Sequence, residues 1–79
     1  MKDNLINFLY DKKYFINIYD EYIYIFNYQE LVSLSSEKIV LKLETFKLNI
    51  MGSVLFITKM LPNEILIKGK VSKVEFSYE

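Results

Sequence analysis

From Tyr14 onward the apolar side chains recur at every second position, and a chain with that period must form strands with one face buried. Tyr14, Ile16 and Ile18 alternate with Phe15, Asn17 and Tyr19; after Asp20 and Glu21, Ile23 and Ile25 alternate with Tyr22, Tyr24, Phe26 and Tyr28. A two-residue turn at Asp20 and Glu21 sets the register. Ile18 then faces Ile23 and Ile16 faces Ile25 on one side, while Tyr19 faces Tyr22 and Phe15 faces Phe26 on the other. A slip of one residue would turn all four Ile to the wrong face. Asp-Glu is a poor pair for a primed turn, which leaves room for a longer loop.

The same figure recurs thirty-two residues on, with Leu48 and Ile50 before Gly52 and Ser53, and Leu55 and Ile57 after them. A Gly-Ser turn of type II′ would set Ile50 opposite Leu55 and Leu48 opposite Ile57, a duplicate of the first hairpin. Each hairpin is followed by a further alternating stretch: Ile39, Leu41 and Leu43 in the first half, Ile65 and Ile67 in the second. The stretch from Gln29 to Glu37 has room for one more strand through Val32 and Leu34. Val71 keeps the odd phase of Ile65 and Ile67, but Val74, Phe76 and Tyr78 are even, so a bulge or bend is expected between Gly69 and Lys73. The expectation is an all-β domain over residues 13–79. It is a small antiparallel sandwich or roll of about six to eight short strands, built from two similar hairpin units. Residues 1–12 form an N-terminal segment, helical or irregular, in which Leu5, Phe8 and Leu9 share one side at helical spacing.

Composition narrows the function. Seventy-nine residues fit one small domain. Cys and His are absent, so there is no disulfide framework, no thiolate zinc site and no imidazole to activate a nucleophile. The remaining acid–base equipment is carboxylate, and Asp20, Glu21, Glu37, Glu44 and Glu64 all fall at expected turns, where charge serves solubility. Ser33, Ser35 and Ser36 beside Lys38 make a weak match to a Ser-Lys dyad and read as a polar strand end. No catalytic residue, metal ligand, cofactor or small-molecule substrate is therefore expected. Ten Lys balance ten acids, a net charge of zero that provides no field for phosphate backbones. Lys68, Lys70, Lys73 and Lys59 are the densest basic cluster, and they read as a solvated strand face rather than a nucleic-acid site. The N-terminal apolar patch is broken by Asn7 and closed by Asp11, too short for a signal-peptide core or a membrane span, which makes the cytosol the default location.

The segment Tyr22 to Tyr28 carries no charge and is apolar or aromatic on both faces. Such a strand is buried on both sides or meets another chain, and Asp20, Glu21 and Glu30 flank it as gatekeepers. Phe15, Tyr19, Tyr22, Tyr24 and Phe26, which point away from the Ile rows, form the candidate protein-interaction face. Its expected cover is either the N-terminal Leu5, Phe8 and Leu9 or a second chain, by self-association or by docking of a partner.

Taken in order, the strand Phe15–Ile18, the aromatic strand ending at Tyr28, the strand Ile39–Leu43, the run Leu48–Ile57 around Gly52, and the close Leu61–Val71 with Val74 and Phe76 form a pattern. It resembles the YabP/YqfC family of small sporulation proteins of endospore-forming Firmicutes. The close, with Leu61, Pro62, Glu64, Ile65, Leu66, Ile67, Gly69, Lys70 and Val71, looks more like the YqfC branch. The resemblance covers Tyr14 to Tyr78. It implies a role in endospore formation, in the mother-cell cytoplasm, with no active site to carry over. Gly52 then reads as a turn, Gly69 as a bulge and Pro62 as a loop. An accessory subunit of a membrane-associated complex is the compatible alternative; a nucleic-acid-binding β domain is a weaker one.

Overall fold

The computed structural model describes residues 2–78. A short helix, α1 (Lys2–Tyr10), precedes six strands: β1 (Phe15–Ile18), β2 (Tyr22–Phe26), β3 (Glu30–Leu34), β4 (Lys38–Lys42), β5 (Phe46–Met60) and β6 (Glu64–Tyr78). All pairings are antiparallel, and the strands form one open sheet in the order β1-β2-β6-β5-β4-β3. The all-β expectation holds, and β3 fills the stretch left for an extra strand.

The first hairpin has the register that alternation demands: Phe15 opposite Phe26, Ile16 opposite Ile25 and Ile18 opposite Ile23. Its loop is the two residues Asp20 and Glu21, closed by Tyr19 N–H donating to the Tyr22 carbonyl at 2.8 Å. Neither loop residue takes a positive φ, so the turn is not of the primed type for which Asp-Glu is unsuited.

The second hairpin does not exist. β5 continues through Gly52 and Ser53 without turning back, and Ile50 faces Val74 on β6 rather than Leu55. What stands at Gly52 is a bend shared by two fifteen-residue strands. Pairing between β5 and β6 shifts between Met51 and Gly52, between Ser53 and Phe56, and between Ile57 and Lys59. Ser72 is the extra residue at the first shift, which accounts for the phase change between Val71 and Val74. The chain's two glycines both lie in this bend. A Cβ on Gly52 would stand 1.9 Å from the Lys70 carbonyl oxygen; one on Gly69 (φ 144°) would stand 2.6 Å from that of Val54. Glycine is needed here for close approach of two backbones, and at Gly69 for its dihedral as well.

The bend divides the sheet into two wings. One holds β1, β2, the start of β6 and the end of β5; the other holds β3, β4, the start of β5 and the end of β6. Ile23, Ile25, Ile65 and Ile67 of the first wing and Ile39, Leu41, Leu48 and Ile50 of the second are at most 1% exposed and belong to one core. Among the described residues α1 packs against no strand, and the wings cover each other. Only three residues, Asn27 to Gln29, connect β2 to β3 although these strands lie far apart in the sheet order, and that closes the roll. Asn27 takes φ 70°, a dihedral that Asn tolerates, and Tyr28 is buried in the crossing with its hydroxyl donating to the Leu61 carbonyl at 2.6 Å. Each hairpin turn is pinned to the bend: Gly69 N–H donates to the Glu21 carbonyl, and Gly52 N–H to that of Glu37, both at 3.0 Å. The expected second unit is thus replaced by a different one: the two hairpins are β1–β2 and β3–β4, each docked on half of a bent ribbon.

Candidate protein-interaction face

Because Ile23 and Ile25 point inward, their neighbours on β2 point outward, and pairing extends that outer row across the first wing. Phe15, Phe26 and Glu64 lie side by side, as do Tyr24, Leu66 and Lys59, and Tyr22, Lys68 and Phe56. Phe15, Tyr22, Tyr24 and Phe26 are half-buried, and Tyr19 is 59% exposed. The five predicted side chains therefore share one surface. The Phe15 and Phe26 rings meet at 5.9 Å between centroids, within the range of favourable aromatic pairs.

Two charged groups order the tyrosines. The Tyr24 hydroxyl donates to Glu64 Oε1 at 2.7 Å. That hydrogen bond, with lesser help from desolvation and the carboxylate charge, holds the Tyr24 hydroxyl above the usual phenol range. Lys68 Nζ sits 5.5 Å from the centre of the Tyr22 ring, a cation–π contact. Beside Tyr24 a shallow depression of about 130 Å³ is lined by Lys59, Leu61, Glu64 and Leu66. An apolar side chain would fit it, with Lys59 and the Tyr24–Glu64 pair at its rim to orient polar neighbours.

The N-terminal helix does not cover this face. Leu5, Phe8 and Leu9 are each more than half exposed, and among the described residues α1 packs against no strand. Glu64, Leu66, Lys59 and Phe56 were absent from the sequence-derived face. Their even phase or turn position was visible, but placing them beside Tyr24 requires knowing that β2 pairs with β6 across some forty residues of chain.

The other candidate residues are dispersed. The Ser35 hydroxyl accepts from the backbone amides of Lys38 at 3.0 Å and Glu37 at 3.2 Å and so holds the β3–β4 turn. Glu44 lies 3.9 Å from Lys13, and Glu37, Glu44 and Glu64 stand at three different connections, β3–β4, β4–β5 and β5–β6. The lysine cluster is split by the bend: Lys59 and Lys68 belong to the aromatic wing, whereas Lys73 lies on the other wing, 3.6 Å from Glu75. No helix among the described residues is long and apolar enough to cross a membrane.

No curated protein and no solved structure shows a significant match to the chain. The YabP family model matches residues 12–79, nearly the whole chain and all six strands. Membership in that family is consistent with a small sporulation-associated protein. The chain, with its bent ribbon, its two wings and an aromatic outer face over the first of them, belongs to the YabP family.

Proposed function

We propose that this protein is a non-catalytic assembly module of endospore formation, on the YqfC branch of its family and acting in the mother cell, and that it docks a protein partner on the outer face of its first wing. One observation carries the reading: Phe15, Tyr22, Tyr24 and Phe26 present a contiguous aromatic surface that the chain's own helix leaves open. Tyrosine suits such a surface, because its ring contributes buried area while its hydroxyl keeps a partner when wet or dry. The test is Tyr24→Glu in an endospore-forming cell that carries the protein. Loss of heat-resistant spores and of the captured partner, with an unchanged circular dichroism spectrum, supports the reading. Normal spores and an undiminished partner refute it.

A second reading, an accessory subunit of a membrane-associated complex, is favoured by α1. Its Leu5, Ile6, Phe8, Leu9 and Tyr10 are all at least half exposed, and apolar side chains so placed suit contact with a membrane-protein partner. Fractionation of sporulating cells distinguishes the two: under this reading the protein sediments with membranes, and Leu5→Ser with Leu9→Ser releases it.

A further inference from the structure

The end of β6 is an open sheet edge. β2 covers β6 only from Glu64 to Lys68, and among the described residues no strand lies beside Val71–Tyr78 on the side away from β5. The direction of its backbone groups follows from the neighbouring turn. Leu43 N–H bonds the Phe46 carbonyl at 2.8 Å, so by alternation Leu48 directs its backbone groups to β4, and Lys47, Asn49 and Met51 direct theirs to β6. Their partners Ser77, Glu75 and Lys73 are thereby satisfied, which leaves the amide and carbonyl groups of Val74, Phe76 and Tyr78 facing outward.

The core also runs out at this edge. Val74, Phe76 and Tyr78 lie on the inner side of the sheet, opposite buried Ile50, Leu48 and Phe46, yet Phe76 is 44% and Tyr78 70% exposed. Natural edges of this length are usually blocked by Pro, a bulge or inward charge. Here the last bulge is at Ser72 and the remaining residues are regular.

We infer that this edge pairs with the same edge of a second copy, antiparallel about a two-fold axis at Val74. The charges select both the partner and the register. With Val74 on the axis, Lys73 of each copy faces Glu75 of the other on the outer surface, at non-hydrogen-bonded positions where side chains approach most closely. Moving the register by two residues in one direction would set Glu75 against Glu75. At the Val74 register, Val74 exchanges two backbone hydrogen bonds with its symmetry mate, and Phe76 falls opposite Ser72. The inner apolar rows then continue from one copy into the next. The contact is isologous and closes as a dimer, and it leaves the aromatic face of the first wing free for another partner.

Sedimentation of the full chain tests this. The wild type is expected to dimerise at micromolar concentrations. Glu75→Lys sets Lys against Lys twice and is expected to weaken the dimer by about tenfold or more; its site is exposed, and circular dichroism verifies the fold. The double variant Lys73→Glu with Glu75→Lys restores the opposed charges and should restore the dimer. As the chain contains no Cys, Val74→Cys gives an independent readout: its Cα atoms would lie about 5.5 Å apart across the axis, within disulfide range, so oxidation should yield a covalent dimer. A wild type that stays monomeric to about 200 μM, a Glu75→Lys variant as dimeric as the wild type, or a double variant that stays dissociated would each overturn the inference. A dimer abolished by Tyr24→Glu but indifferent to Glu75→Lys would assign self-association to the aromatic face instead.

Discussion

Gly52→Ala should be among the most damaging single-methyl changes available to this chain. The added Cβ would lie 1.9 Å from the Lys70 carbonyl oxygen, 2.9 Å from its carbon and 3.0 Å from Val71 Cα, all backbone atoms of the facing strand. An ordinary carbon–oxygen approach is about 3.3 Å, so the two strands must part by about 1.4 Å. That displacement strains the crossing at a typical overpacking cost of about 1–3 kcal/mol. It also threatens the Gly52 N–H bond to the Glu37 carbonyl, worth about 1 kcal/mol. A loss of about 2–4 kcal/mol is expected, against a total stability of about 4–12 kcal/mol for a domain of this size. Urea unfolding followed by tyrosine fluorescence and far-ultraviolet circular dichroism measures it. Asparagine at the same position separates two explanations. A turn glycine with positive φ is replaced by Asn at little cost, whereas a glycine under a crossing backbone accepts Asn no better than Ala. If either variant unfolds within about 0.5 kcal/mol of the wild type, the close approach is not what requires glycine.

Other outcomes follow from neighbouring features. Val54 holds φ 54° with its side chain 68% exposed, so Val54→Asn should relieve left-handed strain and raise stability by about 0.5–1 kcal/mol, read as a higher melting temperature. Ile67→Ala should cost about 2–4 kcal/mol because Ile67 is fully buried, while Ile18→Ala, at 58% exposure, should cost under about 1 kcal/mol. The two denaturation midpoints must differ in that order. Tyr24 binds its proton more tightly folded than unfolded. Its contribution to stability is therefore fully present below the unfolded phenol range and is lost as pH rises through its own higher folded value. Alkaline difference spectroscopy should show Tyr24 ionising late, and Glu64→Gln should bring that titration down.

Local rules decided what could be read in advance. The first hairpin was legible because its two strands are separated by two residues, so alternation alone fixes Ile18 against Ile23. The strands around Ile39 to Leu43 and Ile65 to Ile67 were legible for the same reason, as was the phase change before Val74. Gly52 misled because Gly-Ser between apolar runs is a hairpin signal, and a glycine required by a facing backbone looks identical in one dimension. The apparent repeat of the Ile and Leu rows arises from inner-face alternation that continues on both sides of a bend. The partial face Phe15 to Phe26 was visible, but its completion by Leu66, Lys59 and Glu64 depended on a non-local pairing.

The bend explains why one sheet carries two dissimilar outer surfaces. With the apolar rows of both wings turned inward, each outer face is free to take whatever its even or odd neighbours supply. On the first wing these include Phe15, Tyr22, Tyr24, Phe26, Phe56 and Leu66 with Lys59, Glu64 and Lys68 among them; on the second they include Lys38, Val40, Lys42, Lys47, Asn49, Met51, Lys73 and Glu75. Lysines stand on both outer faces, so the two differ in aromatic content rather than in charge: Phe15, Tyr22, Tyr24, Phe26 and Phe56 all lie on the first. Parting the strands at the bend would disturb both surfaces together, since the turns of both hairpins are tied to it through Glu21 and Glu37. Variants at Gly52 or Gly69 should therefore impair partner docking in proportion to lost folding, whereas Tyr24→Glu and Glu75→Lys should each remove one contact and leave the fold intact. A Gly69 variant that kept full stability while losing the partner would break that proportionality and the reasoning with it.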